Sequence, residues 1–541
     1  MSSAPEFLSD VVSRLRTLCR LPGIPDATVV PEIEELNAIL RALQVAGSEA
    51  NSEKLHWCLD ASDSLSAPIR RLPDEMLSEI FVHIPLMTLH DLFEWCITQP
   101  HLKRLSAVCW RWNNVVHATP ALWTRVKVDR PPGPTNIAEE SIEREYMSAL
   151  SRTLELSRQR PLHVDIDISS PADYKLVERR PLRLLVQSCS RWRHIDLRVD
   201  ASKATIDLLS AVSGRLSAVE TASVILLQDF SLPMAVDLFG RSPDLLHLEL
   251  YVQSFVRIVP FPWGKLQSLR MRPGRSAIRP LLQLLEDLPD AADANLDITL
   301  TLYFHDPVLE QQRTSLVRSL HFGVGDRETL ASFLKGWTLP RLRMLSITAT
   351  EGCIDLHAPT FLECCVRSSL DQTLTSLDIA SVEISSTNLL RCLQELRQLE
   401  NLVLADHPVH RGDVSKTKKI LLDDSLLAGL AACDEQGFTP ILVPRLRSFY
   451  FFSIYLEFTP RLLLDLGQVR AQWAMRSESC IFELGIGAPG THLDADIWEE
   501  RETRLGLIRS AFHMLVETAG TLRWIPERFW EVPEIWQLER M

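Results

Sequence analysis

From Trp192 onward one spacing recurs, apolar-x-x-apolar-x-apolar, and it constrains what the chain can fold into more than any other feature. It occurs at Trp192/Ile195/Leu197, Leu245/Leu248/Leu250, Leu266/Leu269/Met271, Val317/Leu320/Phe322, Leu342/Leu345/Ile347, Leu374/Leu377/Ile379, Leu399/Leu402/Leu404 and Leu446/Phe449/Phe451, with a weaker copy at Leu216/Val219. Successive starts lie 24, 29, 21, 51, 25, 32, 25 and 47 residues apart. Each long gap is about two units, so the period is roughly 25. The apolar-x-apolar ending is a short strand with two side chains on one face. The stretch that follows, such as Thr387 to Leu396, has helical spacing and returns the chain for the next strand. One unit cannot bury its own apolar face, so the units must stack.

Such an array resembles a leucine-rich-repeat solenoid. It departs from that family where an Asn or Cys is expected three residues after each strand, with Gln253, Gly274, Gly325, Thr350, Val382, His407 and Ile454 there instead. The expectation is therefore an irregular, uneven solenoid over 161–472. In each strand the residue between the two apolar ones faces away from the core. Those residues are Asp196, Glu249, Arg270, His321, Ser346, Asp378, Val403 and Tyr450. Their mixed sign and character suit a protein surface read by shape rather than a phosphate-rich target. Glu249, Arg270, His321, Ser346, Asp378 and Tyr450 are the candidate substrate-binding residues.

The second organising stretch runs from Leu72 to Trp123. Pro73 suits the first position of a helix, and Asp74 and Glu75 suit the positive end of its dipole. Leu77, Ile80, Phe81 and Ile84 then fall on one stripe, limited by Pro85. Leu102, Leu105, Val108, Cys109, Trp112, Val115 and Val116 trace a second stripe, which Thr119-Pro120 ends. Trp110 falls on a different face from Trp112. Two short helices this rich in Leu, Phe and Trp expose more apolar surface than they can hide from each other.

Leu72-Pro73-x-Glu75, Leu77-x-x-Ile80-Phe81, Val108-Cys109-x-x-Trp112 and Pro120-x-Leu122-Trp123, in that order, resemble an F-box. The segment from His83 to His101 is longer than that family's usual link. The resemblance implies docking on the Skp-type linker subunit of a cullin-based ubiquitin ligase. It also implies Leu72, Pro73, Leu77, Ile80, Phe81, Val108, Trp112 and Trp123 as the linker-binding residues, with the rest of the chain presenting a protein substrate.

Composition narrows the alternatives. The 57 Lys and Arg stand against 70 Asp and Glu, a formal net charge of −13, so no global attraction draws the chain to nucleic acid. Eleven Cys without a Cys-x-x-Cys pair fit a reducing compartment, cytoplasm or nucleus. Glu6 and Asp10 stand where a signal peptide would be basic, and the apolar run from Ile441 to Phe458 is broken by Arg445 and Arg447. Neither export nor a membrane partner is expected.

The chemistry-bearing candidates are weak. His407 and His410 beside Asp406 lack metal-ligand spacing, Cys364-Cys365 sit on an apolar helix, and Gly485-Ile486-Gly487 lacks the setting of a nucleotide loop. No cofactor, metal or catalytic constellation is expected.

The fold class read from sequence is α+β, an all-α N-terminal region followed by an irregular leucine-rich-repeat-like β/α solenoid. The expected domains are a helical lead-in at 1–66, an F-box-like domain at 67–128, a linker and helix at 129–160, the solenoid at 161–472 and a helical cap and tail at 473–541. The functional expectation is a non-catalytic substrate-recognition adaptor of a ubiquitin ligase. The alternative is a repeat-based interaction scaffold outside any ligase.

Overall fold

The computed structural model describes residues 10–15, 30–45, 72–84, 100–128, 139–168, 179–200, 209–227, 234–236, 242–252, 256–258, 263–274, 278–289, 296–303, 306–350, 353–406, 422–436, 439–453, 458–476, 481–487 and 522–526, with isolated residues between them. The chain divides into two compact units, Met1–Val199 and Asp200–Met541.

In the first unit, helix α1 (Val30–Val45) buries Leu36 and Leu40. Leu55, Leu59 and Leu65, read as parts of a further helix, lie outside the described residues, as does most of the link from His83 to His101. Helix α2 (Asp74–His83) starts one residue later than the sequence indicates, because Pro73 has an extended ψ of 156° and serves as its cap position. The second stripe is two helices rather than one, α3 (Pro100–Val108) and α4 (Trp110–Ala118). Cys109 breaks them with extended backbone, and its Sγ accepts from the Trp112 amide at 3.5 Å, capping α4.

A 3-10 turn, Pro120–Trp123, leads directly into β1 (Arg125–Val128). This strand pairs in parallel with β2 (Leu162–Ile168), which pairs in parallel with β3 (Trp192–Asp200). Helix α5 (Glu139–Leu156) lies between the first two strands in sequence and α6 (Arg179–Gln187) between the next two. Parallel pairing begins at Arg125, ahead of the first full repeat of the spacing. Val126 and Val128 alone supply its buried side.

In the second unit eleven strands form one parallel ladder among the described residues: β4 (Thr221–Leu227), β5 (His247–Val252), β6 (Ser268–Pro273), β7 (Asp297–Leu302), β8 (Ser319–Val324), β9 (Met344–Ala349), β10 (Ser376–Ala380), β11 (Asn401–Ala405), β12 (Ser448–Phe452), β13 (Phe482–Gly487) and β14 (Leu522–Pro526). Inward side chains stack from strand to strand, Leu320 beside Leu345 beside Leu377 beside Leu402 beside Phe449, and all are nearly fully buried. Helices α7 (Ile278–Glu286), α8 (Arg327–Gly336), α9 (Ala358–Ser368), α10 (Ser386–Glu395), α11 (Asp424–Ala431) and α12 (Pro460–Arg476) return the chain. Phe322 of β8 stacks on Phe333 of α8 with ring centroids 4.1 Å apart, so the inward face of the strand is closed by the returning helix. The unit is thus a stack of strand-and-helix repeats, and it resembles a leucine-rich-repeat solenoid.

The ladder differs from the sequence reading in four places. The weak copy is centred three residues late, on Val219/Ala222/Val224, where the alanine masks the pattern. The first long gap holds β7, ahead of which the sequence has Asn295 in place of the first apolar residue. The second long gap is one long unit, because β11 pairs directly with β12. Beyond residue 472, in the stretch read as a helical cap and tail, β13 and β14 continue the sheet; Ile481/Leu484/Ile486 carry the repeat spacing, interleaved with Gly485 and followed by Gly487.

Residues 407–421, with His407, His410, Arg411-Gly412-Asp413 and Lys416 to Lys419, lie outside the described residues. So do 488–500, most of the segment from Ile497 to Val516, and 527–541.

Candidate functional site

The first candidate surface is the helical stretch of the first unit. Leu77, Phe81, Leu102, Val115, Val116, Leu122 and Trp123 form a closed core, with Leu72, Ile84, Leu105 and Trp112 packed against it. Phe81 meets Trp112 at 4.8 Å between ring centroids, and the Trp123 indole donates to the Val116 carbonyl at 2.8 Å. Arg111 ties the two halves of the motif. Its Nε donates to Asp74 Oδ1 at 2.7 Å, and its Nη2 donates to the Leu72 carbonyl, so the start of α2 is held by α4. Ser78 and Thr119 hydroxyls add a further link at 2.9 Å.

The residues predicted to meet a linker subunit therefore split. Leu77, Phe81 and Trp123 belong to the domain's own core, and Leu72 and Trp112 are half-buried against it. Five of the eight thus pack within the domain, where a partner senses them through the backbone they hold. Pro73, Ile80 and Val108 are exposed, the last two at 38% and 59%. Sequence reasoning missed Met76, 51% exposed, and Trp110, 58% exposed. The signal was present, because Met76 stands one helical turn before Ile80, and Trp110 falls on a different face from Trp112. Large apolar side chains this exposed are the kind of surface that protein contacts cover.

The second candidate surface is the outward face of the ladder. The register brings all six predicted substrate-binding residues into one lateral row. Glu249 lies beside Arg270, Arg270 beside Thr299, Thr299 beside His321, His321 beside Ser346, Ser346 beside Asp378, Asp378 beside Val403, and Val403 beside Tyr450. Thr299 went unread because its strand did. Burial pushes the His321 imidazole below its ordinary value; Asp297 opposes that shift and Arg270 adds to it. The Tyr450 hydroxyl donates to the Glu483 carboxylate at 2.7 Å, and Ser448 Oγ donates to Asn401 Oδ1 at 2.6 Å. Asp378 differs from its neighbours. Its Oδ1 is buried without a hydrogen-bond partner, and burial pushes its carboxyl up to about 7.

Among the described residues no group of three or more His, Cys, Asp or Glu is placed to hold a metal ion. Cys364 and Cys365 are buried on α9, and burial pushes both thiols up, away from the thiolate. No described helix is long and apolar enough to cross a membrane.

Comparison with known proteins agrees with this geometry at the helical stretch. Residues 69–129 match the F-box-like family model. No curated protein matches the chain. Among solved structures, the crystal structure of a TLR13–ssRNA13 complex overlaps 60% of this chain at 12% identity with a TM-score of 0.28. The overlap covers 42% of that structure's chain. The F-box-like match ends one residue beyond β1, so it takes in both halves of the motif and the turn at Pro120–Trp123. The chain carries an F-box-like domain, a protein-interaction module, at residues 69–129, and its second unit resembles a leucine-rich-repeat solenoid.

Proposed function

We propose that the protein is a non-catalytic adaptor of a cullin-based ubiquitin ligase, acting inside the cell. Its F-box-like domain binds a Skp-type linker subunit, and the outward face of its ladder holds a protein substrate. The observation that carries the reading is the exposure of Met76, Ile80, Val108 and Trp110 around a core that Leu77, Phe81 and Trp123 already close. The domain is complete inside and still apolar outside, which is the arrangement of a module awaiting a partner. Pro73, Met76, Ile80, Val108 and Trp110 meet the linker directly, while Leu72, Leu77, Phe81, Trp112 and Trp123 hold them in place.

The substrate is held by the row from Glu249 to Tyr450, and the adaptor acts through effective concentration. Holding substrate and ubiquitin donor on one assembly turns a bimolecular encounter into a nearly intramolecular one. Co-purification with a Skp-type linker subunit tests this. Wild type is expected to elute with the linker, and Ile80→Asp/Val108→Asp to elute without it. A wild-type protein that does not bind the linker at micromolar concentration would remove the ligase reading. Equal binding by the double variant would move the surface elsewhere.

A further inference from the structure

The outward face is not uniform along the ladder. Each strand from β8 to β13 offers three outward positions, and none of them is Lys or Arg: Ser319, His321 and Gly323 on β8, for example, and Ser376, Asp378 and Ala380 on β10. The formal charges there are the two anions Asp378 and Glu483. Earlier strands are different, with Glu249 on β5 and Arg270 and Arg272 on β6. Arg318, Arg343 and Arg447 precede their strands and stand at the entry end, where Arg447 lies 3.7 Å from Glu400. The floor is low at Gly323, Ala380, Ala405, Gly485 and Gly487, while Phe452, between Ala405 and Gly487 in register, is buried with Ala380 and Ala405 and has Val403 and Tyr450 packed against it.

Two side chains stand out on this floor. Tyr450 presents its ring beside Val403, and its hydroxyl already engages Glu483. Asp378 has an Oδ1 with no hydrogen-bond partner, flanked in register by the uncharged Ser346 and Val403. A carboxyl so placed gives up hydration without receiving an opposite charge from its own sheet, which is costly unless something else supplies it.

We infer that the face from β8 to β13 seats a substrate segment carrying an arginine or lysine two residues from an apolar residue, the cation meeting the Asp378 carboxylate and the apolar side chain lying against Val403 and Tyr450. The inference rests on the adaptor reading only in taking this face as the substrate surface. Two strand spacings separate Asp378 from Tyr450, about 10 Å, a span covered by side chains two residues apart in one extended peptide, which share a face about 7 Å apart, with the added reach of an arginine or lysine stem. Tyr450 also offers its ring face to the aliphatic stem or head of the same cation. The elevated proton affinity of Asp378 agrees with a carboxyl lacking an opposite charge, and an arriving guanidinium restores the ionised form.

The test selects displayed random nonapeptides on the full-length protein at pH 8 and measures the enriched ones, fluorescently labelled, by anisotropy. Enriched peptides are expected to carry Arg or Lys two residues from an apolar residue. Asp378→Asn is expected to weaken them about tenfold or more, and Glu395→Gln, exposed at the end of helix α10 and away from the outward face, to change them by less than about twofold. Ser346→Lys places a cation of the protein's own beside Asp378 and is expected to exclude them too. Equal binding to Asp378→Asn, or enrichment of acidic peptides, would overturn the cation assignment, while continued sensitivity to Tyr450→Ala would keep this face as the substrate surface. Selection of no peptide, or of peptides indifferent to every variant on the face, would sink both. Concentration-dependent self-association abolished by Ser346→Lys would assign the face to a second copy of the chain and overturn the inference.

Discussion

The guanidinium of Arg470 lies wholly inside the second unit and donates through Nη1 to the carbonyl of Val443, 2.8 Å away, a residue held at φ 41°. That backbone region is unfavourable for a β-branched side chain. The same guanidinium donates to the carbonyls of Leu430 at 3.0 Å and Leu442 at 2.8 Å, so one side chain of α12 satisfies three buried acceptors around the turn that leads into β12. Burial lowers its pKa to about 10, which still leaves it charged at physiological pH.

Arg470→Met keeps the apolar stem and strands the three carbonyls. Each buried acceptor left unmade costs about 1 to 3 kcal/mol, so a loss of about 3 to 5 kcal/mol is expected when relaxation is allowed for. Urea unfolding followed by tryptophan fluorescence reads it as a fall in midpoint at constant slope. A change below about 1 kcal/mol would mean that the turn holds its own geometry.

How much of this was legible in the sequence depends on which side chains pay attention to the core. Leu320, Leu345 and Leu377 recur because every unit needs the same inward pair, so the ladder could be read wherever both members stayed apolar. It vanished at β7, where the sequence has Asn295 in place of the first apolar residue, and at β13, where Gly485 and Gly487 fall in a stretch assigned to the cap although parallel neighbours hold them extended. The row of outward residues followed from alternation along each strand, and the register from β5 to β12 keeps them in line. The F-box-like helices behaved otherwise. Periodicity grouped Leu77, Ile80 and Phe81 on one stripe, but only the packing of α4 and the turn at Trp123 decides that Leu77 and Phe81 close the core while Ile80 stays outside. The role of Arg111 was invisible, since its partners Asp74 and Leu72 lie 37 and 39 residues away.

Asp378 carries a pH signature. Its carboxyl ionises at about 7 in the folded protein against 3.8 in the unfolded chain, so between those values the folded state holds a proton that the unfolded state has released. The stability contributed by that proton is complete below about pH 4, falls as pH rises through the interval and is gone above about 7. Asp378→Asn removes this slope. Relative to wild type it is expected to gain between about 1 and 4 kcal/mol at pH 8 and little at pH 4, the lower figure allowing for solvent access to the carboxyl. Paired urea titrations at the two pH values check it. A variant less stable than wild type at pH 8 would contradict the assignment, and a gain would show that any loss of peptide binding is not a loss of fold.

Gly336 ends α8 where the chain passes the turn at Pro307–Glu310. A Cβ there would stand 1.9 Å from the Leu309 carbonyl oxygen and 2.9 Å from that of Gln311, both backbone atoms that cannot swing aside. Gly336→Ala is expected to cost about 3 kcal/mol through forced displacement of the helix end. Gly264, with no atom within 4 Å of the corresponding point, is the control; Gly264→Ala should stay within about 0.5 kcal/mol of wild type. Thermal unfolding of the two variants side by side measures the contrast.

Phe81 and Ile80 are adjacent on α2 and point to opposite fates. Phe81 is fully buried against Trp112, whereas Ile80 keeps 38% of its surface in water. Phe81→Ala leaves a cavity worth about 3 to 5 kcal/mol and is expected to loosen the F-box-like domain, seen as rapid amide exchange throughout α2 and α4, and with it any linker binding. Ile80→Asp removes an exposed apolar contact and should leave exchange in α2 and α4 unchanged. Burial of an Ile side chain in an interface contributes about 1.5 to 3 kcal/mol, and the carboxylate adds a desolvation cost, so linker affinity is expected to fall by about 100-fold or more. Fast exchange in Ile80→Asp would place that side chain in the core. Full linker binding by a well-folded Ile80→Asp would place the docking surface on the Val108 and Trp110 side of the domain instead.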